Sequence, residues 1–91
     1  MYVILMYDIE MDKQGVKIRK KLFGLCSRYL HHIQFSVFEG QLDRSEVRAL
    51  ENSIRQLVRA SDSVILFENI YDKPPIKKMF GNTEDQTSNF I

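Results

Sequence analysis

Acidic residues followed by a long basic stretch form the part of this 91-residue chain whose residue types could do chemistry. Asp8 stands near the end of the apolar run 2–9 (YVILMYDI), and Glu10 and Asp12 follow it at alternate positions. Asp8 could bind a metal ion or cap the first turn of the next helix, and its position favours neither. Glu10 and Asp12 fit loop or capping roles better than ligand roles.

The basic stretch comes directly after these acids. Residues 13–30 carry six basic residues and no acidic one, although the whole chain has a net charge of only +1. A cationic helix of this kind can bind a polyanion, or it can simply be a solvated helix face. The candidates for contact with a polyanion are Lys17, Arg19, Lys20, Lys21 and Arg28.

Length and composition exclude several classes of protein. A chain of 91 residues, 44% hydrophobic and 27% charged, is expected to form one domain with a thin core, which favours oligomerisation. The single cysteine, Cys26, excludes an internal disulfide framework and a cysteine-based zinc site. We predict a cytoplasmic protein without membrane contact. No apolar run approaches the roughly 20 residues that span a bilayer, and the first ten residues do not resemble a signal peptide.

The elements that must position these residues follow from periodicity. The apolar run 2–9 predicts a strand buried on both faces, and residues 13–29 show helical spacing. Residues 32–42 return to period two but change parity near Val37–Phe38, so they form one kinked strand or two strands in a hairpin. Residues 43–60 predict a second helix with a capping box from Asp43 and Glu46, and residues 63–70 predict another strand.

This order predicts an α/β (α+β) ferredoxin-like βαββαβ plait, with an antiparallel sheet and two helices on one face. Pro74 and Pro75 end the regular pattern. We therefore expect a domain at residues 1–75 and a C-terminal tail at residues 76–91 that contacts a dimer mate or another partner. Phe90 and Ile91 could anchor this tail by adding a strand to a neighbouring sheet.

Three stretches resemble the CRISPR-associated Cas2 family over roughly residues 2–70. They are Met6-Tyr7-Asp8-Ile9, the run 33–42 (IQFSVFEGQL) and Asp62-Ser63-Val64-Ile65. The resemblance implies a ferredoxin-like homodimer with the tail strand at the dimer interface. It also implies that Asp8 is the catalytic residue and the ligand of Mg²⁺ or Mn²⁺.

The function that the resemblance implies is CRISPR adaptation, or spacer acquisition. Several members are described as metal-dependent endonucleases on single-stranded RNA or on DNA, and the resemblance implies that in the adaptation complex the dimer bridges integrase dimers and holds DNA. The alternative is a non-catalytic structural adaptor that binds DNA. A third interpretation, a ferredoxin-like module for RNA or a small ligand, lacks the aromatic sheet signature of RNA-binding plaits.

The motif residues each have a structural and a functional interpretation. Tyr7 packs in its strand or brings its hydroxyl to the site, and Ser36 bonds backbone at the kink or joins a polar patch. Phe38 packs in the core or the dimer, or stacks on a base. The resemblance also gives Arg19 a phosphate contact. His31 and His32 would point to opposite faces of a strand, which makes them a poor chelating pair.

Overall fold

A computed structural model describes residues 1–69 and 75–82 of the chain. The elements run in the order β1 (Tyr2–Asp8), α1 (Lys13–Tyr29), β2 (His31–Gln34), β3 (Val37–Gln41), α2 (Arg44–Leu57), β4 (Ser63–Glu68) and β5 (Ile76–Gly81). Both predicted helices and the two long predicted strands are confirmed, with ends that shift by a few residues. None of the helices in the described ranges is long and apolar enough to cross a membrane.

The strands form one antiparallel sheet in the order β2-β3-β1-β4-β5. The first four strands and both helices make the predicted ferredoxin-like plait. The segment from residue 76, predicted as a tail, begins with β5, which pairs with β4 of the same chain from Ser63↔Gly81 to Glu68↔Ile76. The end of the tail, with Phe90 and Ile91, lies outside the described residues.

Each helix begins at an aspartate cap. Asp12 accepts a hydrogen bond from the backbone N–H of Gly15 at 2.7 Å, and the carboxylate of Asp43 accepts one from the N–H of Glu46 at 2.8 Å. The Glu46 side chain accepts in turn from the N–H of Asp43 at 3.0 Å, which completes the predicted capping box. These caps satisfy N–H groups that have no partner inside the helix.

The core lies between the helices and one face of the sheet. Alternate residues of β1 and β4 are buried there against the apolar stripes of both helices. The buried set includes Val3, Leu5, Ile18, Leu22, Cys26, Phe38, Leu50, Ile54, Val64 and Leu66. Cys26 is fully buried, and burial raises the pKa of its thiol to about 12.

Within residues 1–69 and 75–82, no helix lies over the opposite face of the sheet, which we call the open face. Its residues are those that alternate along each strand with the core residues, and most are apolar and half-buried. They include Tyr2, Ile4, Met6, Val37, Ile65, Phe67 and Met79. The prediction that β1 is buried on both faces is therefore wrong for the described part of the chain, in which helices cover only one face of the strand.

The stretch 32–42 is a hairpin, one of the two predicted alternatives. The predicted break near Val37–Phe38 is wrong in position, because the turn lies at Phe35 and Ser36. Phe35 adopts a left-handed conformation with φ of 41°, which reverses the chain before β3 begins. No glycine marks this turn in the sequence.

Candidate functional site

A groove of about 640 Å³ lies at the end of β1, where the chain leaves the sheet for α1. It is formed by residues from β1, the β1–α1 loop, α1 and the β2–β3 hairpin. The lining residues are Tyr7, Asp8, Ile9, Met11, Arg19, Phe23, His32, Phe35 and Ser36. Four residues predicted from the sequence, Tyr7, Asp8, Arg19 and Ser36, therefore meet in one place.

Asp8 is exposed and does not cap α1. The cap is Asp12, so the capping interpretation of Asp8 is wrong and that of Asp12 is confirmed. Asp8 has the same parity as Ile4 and Met6 and faces Ser63 across the β1–β4 pair, which puts it on the open face. Within residues 1–69 and 75–82, its carboxylate has no hydrogen bond or ion pair. It is thus available to a ligand.

Aromatic rings form one wall of the groove. Tyr7 is mostly buried and lies 6.1 Å from the ring of Phe38, centroid to centroid. Phe38 in turn contacts Phe23 at 5.5 Å and His32 at 5.0 Å. Phe38 is fully buried, so its core role is confirmed and it has no free face for a base. Burial raises the pKa of the Tyr7 phenol, as does Cys26 nearby, while Arg19 lowers it.

Ser36 fixes the hairpin against β1. Its backbone carbonyl accepts a hydrogen bond from the N–H of Tyr7 at 3.2 Å, which continues the strand contact beyond Val37. This bond uses only the backbone of Ser36, so both interpretations of its side chain stay predictions, and the residue also lines the groove. The two histidines diverge, as predicted: His31 pairs with Glu39 and His32 with Phe38, so they lie on opposite faces.

The basic residues predicted to bind nucleic acid do not lie on one surface. Arg19 lines the groove beside Asp8. Lys21 and Arg28 instead line a second groove of about 700 Å³ between α1 and α2, on the helical side of the molecule. Lys17 and Lys20 are exposed on α1 and line neither groove. The basic helix therefore offers one cation to the neighbourhood of Asp8 and the others elsewhere.

Sequence reasoning missed a clamp formed by Arg59 and Asp62. The Arg59 guanidinium binds both carboxylate oxygens of Asp12 at 2.9 Å and the carbonyl of Glu10 at 2.9 Å. It also donates to Asp62 through Nε and Nη2, each at 3.0 Å. Asp62 is fully buried and further accepts from the backbone N–H groups of Glu10 and Arg59. The clamp ties the loop after Asp8 to the start of β4.

The charges of the clamp stabilise one another. The hydrogen bond from Arg59, with that from the Gly15 N–H, lowers the pKa of Asp12. Burial pushes the pKa of Asp62 upward, but the hydrogen bonds from Arg59 and from two backbone N–H groups outweigh burial and hold it below its ordinary value. The same two carboxylates raise the pKa of Arg59. The only sequence signal was Asp62 itself, an acid directly before an apolar strand.

A second charge cluster ties β5 to the domain. The ammonium of Lys78 lies 2.5 Å from a carboxylate oxygen of Glu51 on α2 and 2.5 Å from one of Glu68 on β4. Both carboxylates are buried. Burial lowers the pKa of Lys78, but the hydrogen bonds with the two glutamates outweigh it and raise the pKa overall.

One chain does not by itself supply a multidentate metal site. Among the described ranges, no group of three histidine, cysteine or carboxylate side chains is close enough to hold an ion. Asp8 offers one hard oxygen ligand per chain. Mg²⁺ accepts one or two protein carboxylates together with water and phosphate oxygens, so the donor chemistry of Asp8 fits such an ion.

Comparison with known proteins identifies the family. The model of the family described as CRISPR associated protein Cas2 matches residues 1–73. The chain is 42% identical over 92 residues to "CRISPR-associated endoribonuclease Cas2" of Fusobacterium nucleatum, covering 100% of this chain and 87% of the relative. It is 34% identical to the protein of the same name from Haloferax volcanii, over 99% of each chain.

Solved structures give the same result. The crystal structure of Streptococcus pyogenes Cas2 at pH 6.5 superposes with a TM-score of 0.68 and 26% identity, over 72% of this chain and 82% of that one. Another Cas2 crystal structure superposes with a TM-score of 0.65 and 29% identity, over 93% of this chain and 80% of that one. The sequence match, the shared fold and the exposed Asp8 at the end of β1 agree, and the chain belongs to the Cas2 family of CRISPR-associated proteins.

Proposed function

We propose that this CRISPR adaptation protein is a homodimeric, metal-dependent endonuclease that cuts single-stranded RNA or DNA, with Asp8 as its catalytic residue and metal ligand. The observation that carries the proposal is the exposed carboxylate of Asp8, without a partner in the described chain, in a groove that also contains Arg19. Relatives at 42% and 34% identity carry the name endoribonuclease, which supports a nuclease activity here.

The open face supports the homodimer. It is a largely apolar sheet surface over which the described residues place no helix, and a domain of 91 residues gains stability by burying such a surface. A two-fold dimer brings the same patch of both copies together. Because Asp8 lies on this face, two copies packed through it would bring their Asp8 carboxylates near the same interface. β5 contributes Met79 to that face.

A divalent cation fits this arrangement. Two carboxylates that approach each other repel unless a cation lies between them. When bound, Mg²⁺ or Mn²⁺ would neutralise charge on a phosphodiester and lower the pKa of an attacking water. Asp8 of each copy would hold the ion, and Arg19 would bind a phosphate of the strand beside it. Tyr7, whose pKa is raised by burial, would stay protonated and could donate a hydrogen bond from its hydroxyl.

The alternative function is a non-catalytic DNA-binding adaptor that bridges integrase dimers. It is favoured by the position of Lys21 and Arg28, which line a groove on the helical side. DNA bound there would lie across the helices and away from the open face. Lys17 and Lys20, exposed on the same helix, would extend this basic surface. The tail beyond residue 82, outside the described residues, is the candidate for contact with the integrase.

The test is cleavage of labelled single-stranded RNA and of duplex DNA with Mg²⁺, with Mn²⁺ and with chelator. Wild type is compared with Asp8→Asn and with Asp43→Asn, which changes another exposed carboxylate but keeps a good helix cap. We expect wild type and Asp43→Asn to cut only with metal and Asp8→Asn not to cut. If Asp8→Asn cuts as wild type does, or if no protein cuts, the adaptor function replaces the enzyme.

A further inference from the structure

We infer that Phe35 is a stacking platform for an unpaired base, and that this ring makes the groove selective for single-stranded nucleic acid. The inference rests on the proposed function, since it takes the Asp8 groove as the substrate site. Phe35 is 85% exposed, the most exposed of the large hydrophobic residues within the described ranges. Phe35 lies in the turn of the β2–β3 hairpin and lines the same groove as Asp8 and Arg19.

The hairpin holds Phe35 in an unfavourable conformation. A bulky residue with positive φ is uncommon, because its Cβ crowds the backbone. The Nε2 of His32 lies 2.6 Å from the carbonyl oxygen of Phe35 and forms a hydrogen bond with it. His32 is itself packed against Phe23 and Phe38, with ring centroids 4.9 and 5.0 Å away. The turn is therefore braced from the core, while the Phe35 ring gains no burial from it.

The chemistry of the groove selects the kind of ligand. A cation that binds phosphate and a flat exposed ring are the two parts of a single-strand site, since every base has a face that can stack. Phe23, 41% exposed, presents a second ring on the same groove. The volume of about 640 Å³ is that of a small-ligand site, which suits one or two nucleotides. A duplex cannot use the Phe35 ring, because its bases already stack on each other.

The binding experiment uses a short single-stranded RNA with one 2-aminopurine, a base whose fluorescence falls on stacking. A matched strand with abasic sites keeps the phosphates and lacks the bases. All measurements are made with chelator, so that binding is read without cleavage. The variants are Phe35→Ala, Phe35→Leu, which keeps apolar bulk without a flat ring, and Phe35→Trp, which restores stacking. Ile33→Ala is the control, because Ile33 is an exposed apolar residue of the same hairpin.

We expect Phe35→Ala and Phe35→Leu to bind the single strand roughly fivefold or more weakly, with loss of 2-aminopurine quenching. Binding of the abasic strand and of duplex should not change, and Phe35→Trp and Ile33→Ala should match wild type. The inference is overturned if Phe35→Ala keeps quenching and affinity. It is also overturned if the substitution splits the dimer and leaves the ratio of base-containing to abasic binding unchanged.

This result is distinct from that of the cleavage test. Base-dependent binding that needs Phe35, together with absent cleavage, would sink the nuclease proposal and leave the stacking site. Metal-dependent cleavage that needs Asp8, together with binding that does not depend on Phe35, would support the nuclease proposal and overturn the stacking site.

Discussion

Replacing Asp62 by alanine should destabilise the chain by about 3 kcal/mol. The Asp62 carboxylate is fully buried and accepts four hydrogen bonds, each 3.0 Å long. Removing one partner of a buried ion pair costs about 3–5 kcal/mol, because the other partner keeps an uncompensated charge. The Arg59 side chain is 28% exposed and keeps its ion pair with Asp12, so its charge stays partly compensated and the cost falls at the lower end. For a domain of this size, about 3 kcal/mol lowers Tm by about 12 °C or more.

The assay is thermal unfolding by circular dichroism at one fixed protomer concentration, since association would raise Tm. Asp12→Asn is the matched control: it removes the other carboxylate that binds Arg59, but that side chain is 53% exposed and asparagine still caps α1. We expect a small shift for the control. A Tm loss under about 4 °C for Asp62→Ala, or equal losses for both variants, would refute the clamp as a major stabilising contact.

The pH dependence of stability gives an independent check of the contribution of the Asp62 carboxylate. The pKa of Asp62 is lower in the folded chain than in the unfolded one. The ionised carboxylate therefore contributes stability above its ordinary pKa of about 4, and that contribution is lost as the pH falls through the lower folded value. The difference in free energy of unfolding between wild type and Asp62→Ala should be constant near neutral pH and shrink below about pH 4. A difference that grows on acidification would contradict this.

Two further predictions concern the glycines of α1 and the buried thiol. A Cβ on Gly15 would lie 1.8 Å from the carbonyl oxygen of Glu10, whereas a Cβ on Gly24 would meet nothing within 4 Å. Gly15→Ala should therefore lower Tm. Gly24→Ala should raise the free energy of unfolding by about 1 kcal/mol, because alanine has the higher helix propensity. A lower Tm for both variants would contradict the open space at Gly24. Cys26, with a pKa near 12, should react with iodoacetamide at pH 8 only as fast as the chain unfolds, and rapid native labelling would contradict its burial.

The fold could be predicted where the pattern is periodic. α1 and α2 carry apolar stripes and aspartate caps that are local in sequence, so their existence and their starts followed from the residues. The hairpin turn was misplaced because Phe35 takes its positive φ without a glycine or asparagine to signal it. The bond from His32 that braces the turn depends on packing in the folded chain.

The site could be predicted only where its residues lie in a local motif or charge pattern. Tyr7 and Asp8 come from one run, and Arg19 and Ser36 were found from the family motif and charge. The Arg59 clamp joins residues 47 positions apart, and no local spacing predicts it. Gly24 illustrates the limit of composition: a glycine within a helix does not by itself tell whether another element packs against it, and the structure has open space around this one.

The most direct test of the central claim is a Mn²⁺ titration followed by electron paramagnetic resonance, with the oligomeric state measured on the same samples. If Asp8 from two copies holds one ion, wild type should bind about one Mn²⁺ per two chains. Asp8→Asn should remain a dimer and lose this binding, while Asp43→Asn should keep it. Equal Mn²⁺ binding by wild type and Asp8→Asn would contradict a shared metal site at Asp8.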